Sequence, residues 1–439
     1  MDIFSGIMAF SVLGTGLFLT IKIKGFQFTH LFRSIASVKK SPNNSGKSEV
    51  TAFQAMATAL GGSIGTANIA GVAGAIVTGG PGAVFWMWTA ALLGMAVKCC
   101  EIVLAVRYCG GAMICIERGM GKRARPLALL FAVFGSLAGL VGTALVQSNT
   151  IALSVFDTAV SFFPDAERTP ILLSAGVLTA ALTGTVIFGG AKRVGRFSEM
   201  AVPFMAAVYF FASLAVIFIN RERLLPALGS IFSSAFGIKS AVGAVCGIGV
   251  RKAFRVGVAR GVYSNEAGVG SAPMAHANSA DTDPVRQGML GIFEVFVDTL
   301  VVCTLTALVI LTSGVPIPYG SSGISGTALA GSAFAVLMGN RIAPIFLSVL
   351  ITLFAFTSVI GWEVYGESCI KYLFGRKSLT PYRIIYVLMI PVGALVNVDA
   401  VWRIGESLNY LMAIPNLLML VCLSDRARKE IDEYSAISG

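Results

Sequence analysis

Apolar stretches about as long as a bilayer is thick recur along these 439 residues, and charge is almost confined to the gaps between them. Eleven stretches, near 3–21, 51–77, 81–106, 126–160, 170–189, 198–219, 238–262, 286–312, 343–370, 382–397 and 400–423, approach the roughly 20 residues a membrane-spanning helix needs. Only 13% of the residues are charged, against about 25% in a soluble domain, and mean hydropathy is +0.81. The expectation is an all-α integral membrane protein of about 11 transmembrane helices embedded in a lipid bilayer. The first stretch lacks a basic flank ahead of it and an A-x-A cleavage signature, so it is read as a span and not as a signal peptide.

The net charge of +11 does not point to nucleic acid, because the basic residues gather in alternate loops with no basic run interleaved with aromatics. The loops 22–50, 107–125, 190–197, 251–286 and 371–383 and the tail hold 26 Lys and Arg, and the opposite loops hold six. By the positive-inside rule the N-terminus lies outside and the C-terminus in the cytoplasm. Residues 22–50, with Phe26, Phe28 and Phe32 beside basic residues, read as an amphipathic segment on the inner membrane face. Residues 221–237 and 313–340 read as long external loops rich in Gly, Ser and Pro. The eight cysteines show no C-x-x-C spacing and are expected to be reduced thiols, with no transition-metal site.

One apolar stretch departs from ordinary helix composition. Residues 59–81 contain seven glycines and read Gly-Gly-Ser-Ile-Gly-Thr-Ala-Asn in the middle. Glycine costs up to about 1 kcal/mol per residue in a helix interior, so a helix is expected to break here. In hydrocarbon a break leaves main-chain groups without partners, which is tolerated only beside protein, water or a ligand. Freed carbonyls suit a cation and a half-helix N-terminus suits a carboxylate.

A second glycine cluster, Gly243 to Gly249, opens the stretch 238–262 and is followed by Arg251, Lys252 and Arg255. Removing the first span leaves five helices plus five, with an interrupted helix leading each half in opposite directions. That is the pattern of an inverted-repeat transporter with two discontinuous helices. The expected organisation is an N-terminal helix and amphipathic segment (1–50), a core (51–424, repeats near 51–220 and 238–424) and a cytoplasmic tail (425–439).

Several polar residues stand at membrane depth. Thr66, Ala67 and Asn68 sit at the first break, where close packing explains the glycines but not an Asn. Gln147, Ser148 and Asn149 are consecutive in an apolar span, so only one or two can face a site, and Gln147 is preferred. Ser358 and Trp362 are i and i+4 on one face. With Thr357 they offer hydroxyl oxygens for a hard cation and a ring to wall off a small side chain, unless the hydroxyls bond back to their own helix. Glu294 and Asp298 are also i and i+4, and carboxylates there need a partner. Either they pair with Arg251, Lys252 or Arg255 as bracing, or one joins a cation or proton path. The polar run Arg260 to His276 reads as an inner-gate loop on the cytoplasmic side. That run contains no G-x-S-x-G elbow and the chain no Walker A sequence, so neither an enzyme nor a nucleotide-binding protein is indicated. A channel would repeat its polar face through a helix, whereas here polar residues concentrate near the breaks.

The segments GGSIGTANIAGVAGAIVTGGPGAVFWMW (61–88), VQSNTIA (146–152), GGAKRVGRFSE (189–199), VARGVYSNEAGVGSAPMAHA (258–277), LFAFTSVIGWEVYGE (353–367) and LMAIPN (411–416) closely resemble the alanine/glycine:cation symporter family. The resemblance implies a leucine-transporter-like five-plus-five core behind an extra helix. It also implies sodium-coupled, or alternatively proton-coupled, uptake of a small neutral amino acid across a bacterial-type inner membrane, by a monomer with no organic cofactor. Carried over by motif, Thr66, Ala67 and Asn68 meet the substrate carboxylate or a nearby ion. Gly61 and Ile64, through their carbonyls, and Thr357 and Ser358 hold sodium. Gln147, Cys246, Gly247, Ser358 and Trp362 line the pocket. Three positions depart from the usual pattern: Ala67 replaces Gly, Ala144 replaces Asn and Glu406 replaces Asp.

Overall fold

The computed structural model describes residues 2–40, 50–237, 249–320 and 326–438, and every regular element among them is a helix apart from one isolated bridge between Val50 and Ser279. Eight of these helices are long and apolar enough to cross a membrane, and the bent pair Ala52–Ser63 and Thr66–Gly79 forms a ninth candidate span. Of the eleven expected stretches, the first is a shorter apolar helix over Gly6–Lys22 and 238–262 is represented by the helix Val250–Asn265.

The centre of the bundle is the helix Gly82–Tyr108, the most deeply buried of the candidate spans. Small residues let its neighbours approach closely, as membrane helices do where no water drives them together. Val250–Asn265 crosses it with Gly257 against the Ala83 carbonyl and Gly261 against Met87. Pro284–Val295 packs on its other side, with Gly288 against Cys99 and Gly291 against Lys98 and Ile102.

Two expected loops are helical. Residues 221–237 contain the helix Leu224–Ala235, which is seated so closely on Gly82 that a Cβ there would lie 2.5 Å from the Ala235 nitrogen. Residues 313–340 contain the start of Gly326–Phe374, which turns sharply at Gly339 (φ 75°, ψ 164°) before running back through the bundle. Both pieces are about 12 residues long, too short for a hydropathy window to register.

One end of the bundle collects the basic loops. The C-terminal segment is itself a helix, Ser424–Ser438, which docks there with Ala427 and Ile431 buried. Its acids pair with the first helix and the central one: Asp425 with Lys22 (2.7 Å), Asp432 with Lys24 (3.0 Å) and Glu430 with Arg107 (2.8 Å). Phe32 (82% exposed) and Phe28 stand out from the amphipathic pair Phe26–Thr29 and Leu31–Lys40 at the same end.

The helix Val250–Asn265 requires a correction of position, though not of direction. Its first turns lie against Gly79 and Trp86, at the end of the central helix opposite Arg107. Arg251, Lys252 and Arg255 therefore belong to the far end of the bundle and not to the basic end. The run Arg260 to His276 is correspondingly not a loop at the membrane face. Its middle is buried at the depth of Asp298, halfway along Pro284–Ser313.

Candidate functional site

The first break follows from the glycines as expected. The helix Ala52–Ser63 ends where Ile64 and Gly65 turn extended, a single 3-10 turn spans Thr66–Asn68, and Ala70–Gly79 continues at 56° to the first half. In an unbroken helix the Gly65 N–H would bond the Gly61 carbonyl. Here it donates to Asn68 Oδ1 (2.9 Å), and the Gly61 carbonyl accepts instead from Ser358 Oγ (3.1 Å). Likewise the Asn68 N–H turns to the Gly65 carbonyl (3.2 Å), which releases the Ile64 carbonyl from its helical partner. Only glycine fits at 65: a Cβ there would stand 2.8 Å from Ser358 Oγ and 3.4 Å from Gln147 Nε2.

Around this break the structure gathers most of the candidates. Thr66 Oγ1 donates to Gln147 Oε1 (3.1 Å). Thr357 lies against Gly61, with its hydroxyl donating to the Phe354 carbonyl (2.9 Å), and Ser358 bonds back to the same carbonyl while reaching Gly61. Ala67 is 8% exposed and Ile64 fully buried. Cys246 and Gly247, with the cluster Gly243 to Gly249 except Gly249 itself, lie outside the described residues.

Asn68 uses both ends of its side chain. Beyond holding Gly65, its Nδ2 donates to Asp298 Oδ1 (2.7 Å) and to Ser264 Oγ (3.0 Å). The second Asp298 oxygen accepts from Ser264 and Thr299, each at 2.8 Å. The Asn68 carbonyl accepts from Thr306 (2.8 Å), whose hydroxyl lies 2.5 Å from that of Tyr209. Asp298 therefore does not pair with Arg251, Lys252 or Arg255, as was one expectation; three neutral side chains, Asn68, Ser264 and Thr299, donate to its carboxyl from three segments. Glu294 does not pair with those residues either. It lies 2.6 Å from His276 Nε2, whose other ring nitrogen faces Gln287 Oε1 (2.7 Å). Both corrections have one cause: the three basic residues begin their helix at the opposite end of the bundle.

A second break lies beside the first. Val250–Asn265 stops at Glu266, which adopts the left-handed conformation (φ 56°) that side chains other than Gly rarely take, and Gly268 and Gly270 follow with positive φ. Buried irregular chain needs partners for its polar groups. Lys98 Nζ donates to the Asn265 carbonyl (2.9 Å), Asn416 Nδ2 to the Gly268 carbonyl (3.0 Å) and to Glu101, and Trp362 Nε1 to Glu266 Oε1 (2.8 Å). Lys98 is itself buried and lies near Glu101, Glu266 and Asp298. Ser264, Glu266, Lys98, Glu101 and Asn416 were not anticipated. The EAG and GSAP sequences at 266–273 carry the signal, since two glycines following a lone acid inside an apolar neighbourhood mark a turn that must be braced.

At the end opposite the basic loops, a cavity of about 420 Å³ lies between Val146–Phe162 and Gly326–Phe374, lined by Ser154, Asp157, Asn340, Ser348 and Ile351 among others. Ile351 is two turns from Ser358 along the same helix, so the cavity leads toward the first break.

The chain is 39% identical over 439 residues to the sodium/alanine symporter AgcS of Methanococcus maripaludis, covering 97% of this chain and 93% of that protein. It is 40% identical to an uncharacterized transporter of Haemophilus influenzae (96% and 91% covered) and 35% identical to the probable sodium/glutamine symporter GlnT of Bacillus subtilis (99% and 88%). Its fold matches that of MhsT, solved in complex with L-phenylalanine, with a TM-score of 0.62 over 86% of this chain and 96% of that one at 14% identity. That likeness concerns the fold alone, and it agrees with the leucine-transporter-like architecture expected above. The sodium:alanine symporter family model matches residues 2–438, and the chain belongs to that family of membrane transporters for amino acids and cations.

Proposed function

We propose that this chain carries a small neutral amino acid, alanine or glycine in type, into the cell together with sodium by alternating access. The observation that carries the reading is the first break. Its Gly61 and Ile64 carbonyls are released from the helical ladder, the Gly61 carbonyl accepts from the Ser358 hydroxyl and Thr357 lies against Gly61, so the break offers neutral oxygens of the kind a monovalent cation takes. Thr66, Ala67 and Asn68 begin the second half of that helix, where main-chain N–H groups and the helix dipole favour a carboxylate. Gln147 and Trp362 complete the wall, and Cys246 and Gly247 remain candidates by motif. An amino-acid zwitterion brings its carboxylate beside the sodium ion, so each raises the affinity of the other, and that coupling is reciprocal.

In this scheme Asp298 braces Asn68, and Glu294 pairs with His276 nearer the basic end. The membrane is a bacterial-type inner membrane, with the basic end and the C-terminal helix in the cytoplasm. The expected unit is a monomer.

A proton-coupled alternative has an observation in its favour: Glu101, Glu266 and Asp298 lie near a single buried Lys98, so a proton has places to reside. Uptake of labelled alanine and glycine into proteoliposomes, with inward sodium and inward proton gradients imposed separately, distinguishes the two. Sodium-driven accumulation supports the proposal; uptake indifferent to both gradients refutes symport.

A further inference from the structure

Most of the hydrogen bonds at the second break serve to hold the loop, but one reaches a residue of the proposed site. Trp362 lies one turn beyond Ser358 on the same helix face, and its indole N–H donates to Glu266 Oε1 over 2.8 Å. The other Glu266 oxygen accepts from Ser271, at the far side of the same loop. Trp362 is 2% exposed and Glu266 6%. An indole nitrogen can only donate, and when buried it needs an acceptor. The acceptor here is a carboxylate whose two oxygens are both used, so the ring is fixed in rotation as well as in position. Apolar contacts, such as the Tyr365 ring set edge-on at 5.5 Å, pack the indole without setting where its N–H points.

We propose that Glu266 is a positioning residue for substrate selection: by hooking the Trp362 indole to the second break, it fixes how much room the pocket leaves for the amino-acid side chain. This rests on the reading that Trp362 lines the pocket. With the hook in place the ring stands as a fixed wall, and side chains much larger than a methyl group meet it. Without the hook the ring turns and larger neutral side chains enter. The same bond joins the helix Gly326–Phe374 to the loop after Asn265, so these two segments shift together when the site changes access.

The test compares uptake efficiency for alanine and for leucine in proteoliposomes. Glu266→Ala and Trp362→Phe each lower the alanine-to-leucine ratio by about tenfold, the equivalent of one charge-assisted hydrogen bond. The double variant goes no further than either single one. Glu266→Gln recovers most of the ratio, because the amide carbonyl still accepts from the indole while the Ser271 hydroxyl turns to accept from the amide nitrogen. A ratio unchanged by Trp362→Phe overturns the proposal, as do single effects that multiply in the double variant. So does a Glu266→Gln protein as damaged as Glu266→Ala, which would assign the effect to charge and not to the hook. If Glu266→Ala does not fold, Trp362→Phe against Glu266→Gln makes the same distinction.

A readout without transport comes from a protein in which Trp86, Trp88 and Trp402 are replaced by Phe, leaving Trp362 as the sole indole. Its emission shifts in Glu266→Ala and returns in Glu266→Gln. A shift with no change in the ratio overturns the selectivity role while the symport reading stands. Absence of uptake of either amino acid by the unaltered protein refutes that reading and the selectivity role together, while the emission still reports the hook.

Discussion

The two breaks are joined by the 3.0 Å bond from Asn68 to Ser264, yet they are held in different ways. At the first, the main chain is satisfied by an amide and hydroxyls: Asn68, Ser358, and Thr66 with Gln147. At the second, the loop is held by Lys98, by Asn416 bonded also to Glu101, and by Glu266 taking the Trp362 indole. Hydrogen bonds to ionised groups are stronger than neutral ones and leave a larger penalty when one partner is removed. A region that exchanges its partners for a passing ion and a zwitterion is better served by neutral bonds. A region that keeps its shape through each cycle is better served by charge-assisted ones.

The most severe way to probe this contrast is Asn68→Ala, since that side chain serves both breaks. Uptake is expected to fall at least about 100-fold, and stability by about 1–3 kcal/mol because Asp298 loses a buried donor. Proteoliposome uptake and thermal unfolding in detergent measure the two, and unchanged transport removes Asn68 from the site.

Gly65→Ala probes the first break alone. The added methyl meets Ser358 Oγ at 2.8 Å, so sodium-dependent uptake drops by about tenfold, from a shift of a few tenths of an ångström in the ion's oxygens. Gly71→Ala, whose Cβ would meet only the Ala67 Cβ at 3.6 Å, is the matched control and stays within about twofold.

Asn416→Ala probes the second break. It strips a donor from buried Glu101 and from the Gly268 carbonyl, so stability falls by about 1–3 kcal/mol while the alanine KM changes little. A large KM change with an unaltered melting temperature would reverse the roles assigned to the two breaks.

The smallest effect belongs to the C-terminal helix, outside both. The Lys22 ammonium that bonds Asp425 holds that carboxyl below the usual aspartate range, and Lys24 does the same for Asp432. A group lowered in this way contributes above its unfolded value, about 3.9, and loses the contribution as pH falls through the folded value. Docking is thus intact at neutral pH and loosens only in acid below that range, which hydrogen exchange of residues 424–438 reads directly. Loosening already near neutrality would show that these pairs do not hold the tail.

The first break was legible because a main-chain rupture inside hydrocarbon demands glycine, and Gly61, Gly62 and Gly65 advertise it. The other expected break, at Gly243 to Gly249, lies almost wholly outside the described residues. A break that was not anticipated turns on Glu266, a residue that takes left-handed backbone only with support from elsewhere. That support comes from Lys98, Trp362 and Asn416, all roughly 100 or more positions away, and no local pattern encodes it. The same limit explains Glu294. Its partner His276 lies in a run read as a membrane-face loop, so basic residues nearer in sequence drew the pairing instead. The all-helical membrane architecture was readable from hydropathy, but Leu224–Ala235 and residues 326–338 were not, being shorter than any span.

Two of the long helices pass through π-helical turns, Ala138–Leu145, which ends two residues before Gln147, and Phe296–Cys303, which holds Asp298. Such a turn holds a surplus residue, so its side chains fan out more slowly around the axis than in the turns on either side. In the second of them, Asp298 and Thr299 are consecutive and both fully enclosed, one accepting from the other's hydroxyl. A surplus residue of this kind is also the one defect a helix can hand along its length without unravelling. Sliding it by a turn would swivel only the residues it passes, a rotation in which neither end of the helix has to leave its place in the lipid.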